Sequence, residues 1–95
     1  MLTSKTRAAM RGEAQNIPVV VQVGKEGLTN QVVQACKDAF NTRELIKIDV
    51  LNTSGLNIKE LAQDIATLVK AEVVETKGRK IVLYKFNSKL KHTKQ

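Results

Sequence analysis

The segment Gly24-Lys25-Glu26-Gly27 sets two glycines three positions apart around a lysine and an acid, with Thr29 two residues further on. Glycines at that spacing let the backbone turn sharply and keep side chains away from an approaching ligand. If such a turn joins a strand to a helix, the unpaired N–H groups at the positive end of the helix dipole make an anion site. Lys25 would add a mobile cation and Thr29 a hydroxyl donor, whereas Glu26 puts a negative charge where a phosphate would sit. The same glycines would also serve a tight turn with no ligand, so the spacing alone does not decide between the two. Two better-known phosphate loops are excluded: there is no G-x-x-x-x-G-K-S/T and no G-x-G-x-x-G.

Groups for other chemistry are sparse. His92 is the single histidine and Cys36 the single cysteine, so no cluster has metal-ligand spacing and the thiol has no base close in sequence. Glu60 and Asp64 are a like-charge pair one helical turn apart, the pattern of a wet face rather than of a general acid and base. A non-enzyme without metal, cofactor or small-molecule substrate is expected. One cysteine also excludes an internal disulfide and fits a reducing compartment.

Charge is segregated along the chain. Residues 1–11 carry Lys5, Arg7 and Arg11 with no acid, and residues 77–95 carry Lys77, Arg79, Lys80, Lys85, Lys89, Lys91 and Lys94 with no acid. The middle holds all nine acids against six bases, a net of −3 within a chain of net +7. If folding brings the two ends together they form one basic face, for which a polyanion is the natural partner through counterion release.

The elements that must position these groups are legible as periodicities. Residues Thr3 to Ala14 read as a helix capped by Thr3 or Ser4 and ended by Asn16 and Pro18. Val19 to Val23 is a β-branched run ended by Gly24, hence a buried strand. Thr29 or Asn30 caps a helix to about Asn41 whose Val32, Val33, Cys36 and Phe40 share one stripe, and Leu45 to Leu51 alternates as a half-buried strand. After a loop at Asn52 to Gly55, Asn57 and Glu60 resemble a capping box, and Ile58, Leu61, Ile65 and Leu68 form an amphipathic stripe. Glu72 to Thr76 and Lys80 to Phe86 read as strands joined through Lys77-Gly78-Arg79. The expectation is an α/β fold: a single small domain, residues 1–86, ordered α-β-α-β-α-β-β with a four-stranded mixed sheet packed with helices. Residues 87–95 are expected to be a basic, mobile tail.

Three blocks in this order resemble the CRM domain, a module of stand-alone bacterial proteins and of plant organelle RNA-splicing factors. They are Pro18 to Thr29 with the glycine loop, Arg43-Glu44-Leu45-Ile46-Lys47-Ile48, and Gly78-Arg79-Lys80-Ile81-Val82-Leu83-Tyr84-Lys85; the opening Leu2-Thr3-Ser4-Lys5 also agrees. Gln15 and Glu26 depart from the family's pattern, where a histidine and a neutral or small residue are common. The resemblance implies a fold similar to the C-terminal domain of bacterial translation initiation factor three, and RNA as the ligand. It also implies work on large-subunit ribosomal RNA or pre-ribosomal particles during assembly of the large ribosomal subunit.

The RNA-binding residues expected are Gly24, Lys25, Glu26, Gly27 and Thr29 at the loop, Arg7 and Arg11 on the first helix, Lys47 on the second strand, and Lys77, Arg79, Lys80 and Lys85 at and beside the hairpin. With Phe40 in the core, Tyr84 and Phe86 are the aromatic rings left for stacking, so backbone and 2′-hydroxyl contacts to structured RNA suit the chain better than reading of single strands. A KH-like module is the alternative, although its loop joins two helices and here a strand precedes it; a general polyanion binder without a ribosomal role is another. A cytoplasmic monomer with no membrane contact is expected.

Overall fold

A computed structural model describes residues 3–51 and 57–87. The elements are α1 (Ser4–Ala14), β1 (Val21–Val23), α2 (Asn30–Ala39), β2 (Leu45–Val50), α3 (Ile58–Val69), β3 (Glu72–Lys77) and β4 (Lys80–Tyr84), in the expected order. Each helix starts where a side chain can satisfy an orphan N–H group. Thr3 Oγ1 accepts from Thr6 N–H at 3.1 Å, Thr29 Oγ1 from Val32 N–H at 3.2 Å, and Asn57 Oδ1 from Glu60 N–H at 3.1 Å.

The strands form one mixed sheet in the order β1-β2-β4-β3. β1 lies parallel to β2, while β4 is antiparallel to both β2 and β3. The α3 crossover therefore does not make β2 and β3 neighbours, because the β3–β4 hairpin folds β4 back into the space between them. Gly78 sits at the tip of that hairpin with φ of 58°, ahead of a residue without positive φ, the arrangement that matches the twist of the flanking strands.

Strand alternation gives the sheet two unlike faces. Val21, Val23, Ile46, Ile48, Val50, Ile81 and Leu83 point to the side covered by α2 and α3, where they pack with Val32, Cys36, Phe40, Leu61, Ala62, Ile65, Ala66 and Val69. Ala14, Val74 and Val82 form a smaller buried group on the other side, with Met10, Ile17, Leu45 and Tyr84 packed against it. A bulge in β3 places Val74 and Glu75 opposite Val82, and the extra residue carries Val74 inward under α1. Among the described residues no polar or charged residue is fully buried.

Several sequence expectations change. β1 is three residues long rather than five, since Pro18 has no N–H to give and Val20 adds a single bond to Lys47 O at 3.0 Å. β2 stops at Val50 and β4 at Tyr84, leaving Leu51 and Phe86 exposed. α2 ends at Ala39, with Phe40 as its cap. Leu68 is 53% exposed, and Ala62, Ala66 and Val69 complete the buried stripe of α3 in its place. The small alanines let that helix lie close to the sheet, which rotates Leu68 outward. The loop expected at residues 52–55 lies outside the described residues, as does the tail expected at 87–95 with His92, apart from Asn87, whose side-chain amide donates to Phe40 O at 2.9 Å.

Candidate nucleic-acid interface

The glycine loop is a four-residue turn closed by Gly27 N–H donating to Gly24 O at 3.0 Å. Its two glycines have different duties. Gly27 is buried and has φ of 71°, a left-handed conformation that side chains resist. Gly24 has no positive φ, and a Cβ built there meets nothing within 4 Å among the described residues. The fold therefore requires glycine at position 27 and merely tolerates it at 24, where its absent side chain leaves open surface. Replacing both loop glycines is not structurally neutral, for this reason.

Thr29 caps α2, which starts directly behind the turn. Its Oγ1 accepts from Val32 N–H, so its hydroxyl proton remains free to be donated. The N–H groups of Asn30 and Gln31 have no partner among the described residues, and they carry the positive end of the α2 dipole. Lys25 and Glu26 are exposed on the turn.

The β3–β4 hairpin reaches the same end of the sheet. Leu51 N–H donates to Val23 O at 2.8 Å and Val50 N–H to Arg79 O at 2.9 Å, so the end of β2 is flanked by the glycine turn on one side and the hairpin tip on the other. Two strand spacings, about 10 Å, separate them. Lys25, Lys77 and Arg79 are exposed here and have no side-chain partner among the described residues.

Three other expected cations are engaged within the protein. Lys80 Nζ lies 3.1 Å from Asp49 Oδ1, Arg11 Nε lies 3.6 Å from Glu75 Oε1, and Lys47 Nζ donates to Ala14 O at 3.2 Å. Lys47 thus holds the C-terminal turn of α1 against the sheet, a favourable place for a cation. With Lys77 and Gln15, these side chains line a cleft of about 210 Å³ beside α1. Arg11 from the N-terminal segment therefore does sit beside Lys77 and Lys80 from the C-terminal one. Arg7 is half-buried, and its Nε is buried without a hydrogen-bond partner among the described residues.

Lys85 lies at the other end of the sheet. Its N–H donates to Glu44 O at 2.9 Å, roughly 17 Å from the loop end along β2. That end is acidic: burial, then the carboxylates of Glu44 and Glu72, push the Tyr84 phenol above its ordinary range. Tyr84 packs under α1, and the exposed Phe86 follows it in the chain, so neither aromatic ring stands at the glycine loop.

Sequence reasoning missed the partners Asp49 and Glu75 and the Ala14 carbonyl, which decide how much of each cation is free. Alternation put Asp49 and Lys47 on the wet side of β2, but the register that sets Asp49 opposite Lys80 is a tertiary fact. It also missed a groove of about 450 Å³ between β1, the loop and α2, lined in part by Gln22 and Gln31. Burial pushes the Cys36 thiol up to about 11, the state of an inert core hydrophobe. Among the described residues no group of three or more His, Cys, Asp or Glu could hold a metal, and no helix is long and apolar enough to cross a membrane.

Known proteins share this sequence and fold. A Bacillus subtilis protein named "Probable RNA-binding protein YqeI" is 33% identical over 85 residues, covering 90% of this chain and 88% of its own. A Haemophilus influenzae protein named "RNA-binding protein" is 32% identical over 84 residues, covering 88% and 85%. The solution structure of a Staphylococcus aureus hypothetical protein matches with a TM-score of 0.78 at 34% identity, over 96% of this chain and 98% of that one. The family model described as the CRS1 / YhbY (CRM) domain matches residues 2–85, and the chain belongs to that family.

Proposed function

We propose that this protein is a non-catalytic RNA-binding protein whose main contact surface is the loop end of the sheet: the Gly24–Gly27 turn, the first turn of α2 and the β3–β4 hairpin tip. The observation that carries this reading is the convergence there of an open backbone at Gly24 with helix N–H groups and the cations Lys25, Lys77 and Arg79 that have no partner among the described residues. Phosphate needs those features, and a duty in folding explains only Gly27 and Gly78. The names of the relatives support RNA rather than another polyanion. Arg7 on α1 is a secondary contact, whereas Arg11, Lys47, Lys80 and Lys85 contribute less, because the first three are engaged within the protein and Lys85 stands at the other end of the sheet.

Structured RNA is the class of ligand, since no aromatic platform stands at the loop end among the described residues. The family resemblance directs the reading further, to large-subunit ribosomal RNA in pre-ribosomal particles, met by a cytoplasmic monomer. Crosslinking in cells followed by sequencing of the attached RNA tests it. Enrichment of large-subunit ribosomal RNA is the expected outcome; scattered messenger RNA would refute the ribosomal assignment. Equal competition by structured RNA and duplex DNA at physiological salt would instead favour a general polyanion binder.

A further inference from the structure

The groove beside the glycine loop has a composition that phosphate binding does not explain. It holds about 450 Å³ and is lined by Val20, Val21, Val32 and Ala35 as well as by Gln22, Gln31, Thr29 and the loop residues Gly24 to Gly27. One wall is β1, which among the described residues is an edge strand with a neighbour on one side only, so its outer side offers peptide groups to a ligand. Aliphatic walls of this kind suit a flat heterocycle, and the peptide edge and the amides suit its donors and acceptors. Lys25 and Gln31, whose N–H has no partner among the described residues, stand at the loop end of the same groove, where the attached phosphate would be held.

Glu26 is the discordant residue on a phosphate surface, because its carboxylate repels the backbone. It also lines this groove. A carboxylate is acceptor-only, so it matches a base edge that carries donors. Guanine offers N1–H and an N2 amino group side by side, cytosine and adenine offer one amino group each, and uracil offers no amino group and presents carbonyl oxygens that a carboxylate repels.

We infer that the groove receives one unpaired nucleobase of the bound RNA, with Glu26 reading a base that carries an amino group, guanine above all, while the adjoining loop holds its phosphate. This rests on the RNA-binding reading and specifies the ligand as a helix interrupted by an extruded nucleotide. The backbone contacts take the helix, and the groove takes the extruded base.

The test uses the full chain and a set of RNA hairpins of one sequence, either fully paired or with a single bulged G, C, A or U. The bulged-G hairpin should bind about tenfold more tightly than the bulged-U hairpin, the discrimination expected of a bidentate contact. Glu26→Gln should shrink that ratio to about twofold. Ala35→Leu, which fills the groove, should remove the preference for bulged over paired RNA while thermal melting confirms the fold; Gln31→Leu, at an exposed position, is the second variant should Ala35→Leu destabilise the protein. Equal affinity of the wild-type protein for all five hairpins would overturn the groove assignment and leave general RNA binding standing. A preference for bulged G over bulged U that survives undiminished in Glu26→Gln would overturn the role of Glu26. Failure to bind any of the five at low salt would overturn the RNA-binding reading as well.

Discussion

Both ends of the sheet present lysines, yet they differ in what surrounds them. At the loop end Lys25, Lys77 and Arg79 have no carboxylate partner among the described residues, and an open turn and a helix N-terminus lie beside them. At the other end Lys85 sits by Glu44, and Glu72 is close enough to raise the Tyr84 phenol. Between them, Lys47, Lys80 and Arg11 are engaged by Ala14 O, Asp49 and Glu75. A basic residue therefore says little about polyanion binding until its partners are known. The total charge is a property of the chain, while the charge available to a ligand is a property of the fold.

Substitutions can break this comparison. The largest effect on stability is expected for Lys47→Met, which leaves Ala14 O without its half-buried charged donor. Chemical denaturation should show a loss of about 2 kcal/mol, with RNA affinity at a given salt changed less than about twofold. Unaltered stability would mean that Lys47 is not holding α1. The two loop glycines should separate next. Gly27→Ala should cost about 1 kcal/mol for forcing a side chain into the left-handed region, whereas Gly24→Ala should melt like the wild-type protein and bind RNA more weakly. Equal melting of both variants would contradict the division of labour in the turn.

The acidic end gives a smaller effect that depends on pH. The Tyr84 phenol is raised in the folded protein, so folding favours its neutral form. Its contribution to stability is complete below the ordinary phenol range near pH 10 and is lost as pH rises through the folded value. Glu72→Gln removes one of the causes, so ultraviolet titration should show Tyr84 ionising at lower pH in that variant. An unmoved titration would show that Glu72 does not act on this end.

The fold was largely legible because its signals are local and repeated. The Val19–Val23 run, the Ile46-Ile48-Val50 alternation and the caps at Thr3, Thr29 and Asn57 each carry their own period or hydrogen-bonding logic. Leu68 was misread because a wide helix stripe can be centred on small alanines as well as on leucines. At the candidate site, the glycine turn could be read from spacing, but the different duties of Gly24 and Gly27 depend on φ angles that spacing does not carry. The pairings of Lys80 with Asp49 and of Arg11 with Glu75 join residues distant in sequence. They follow from strand register and from the docking of α1, which no local pattern encodes.

The division between the two ends is tested most directly by the salt dependence of binding to one structured RNA. The variant with Lys25, Lys77 and Arg79 all changed to alanine should be compared with Lys85→Ala and with the wild-type protein. Each lost phosphate contact should flatten the log–log slope by about one, so the triple variant should lose about two to three units of slope, with a large fall in affinity at physiological salt. Lys85→Ala should keep the wild-type slope. A triple variant that binds with the wild-type slope, or a Lys85→Ala variant that loses as much as the triple, would contradict the placement of the binding surface at the loop end.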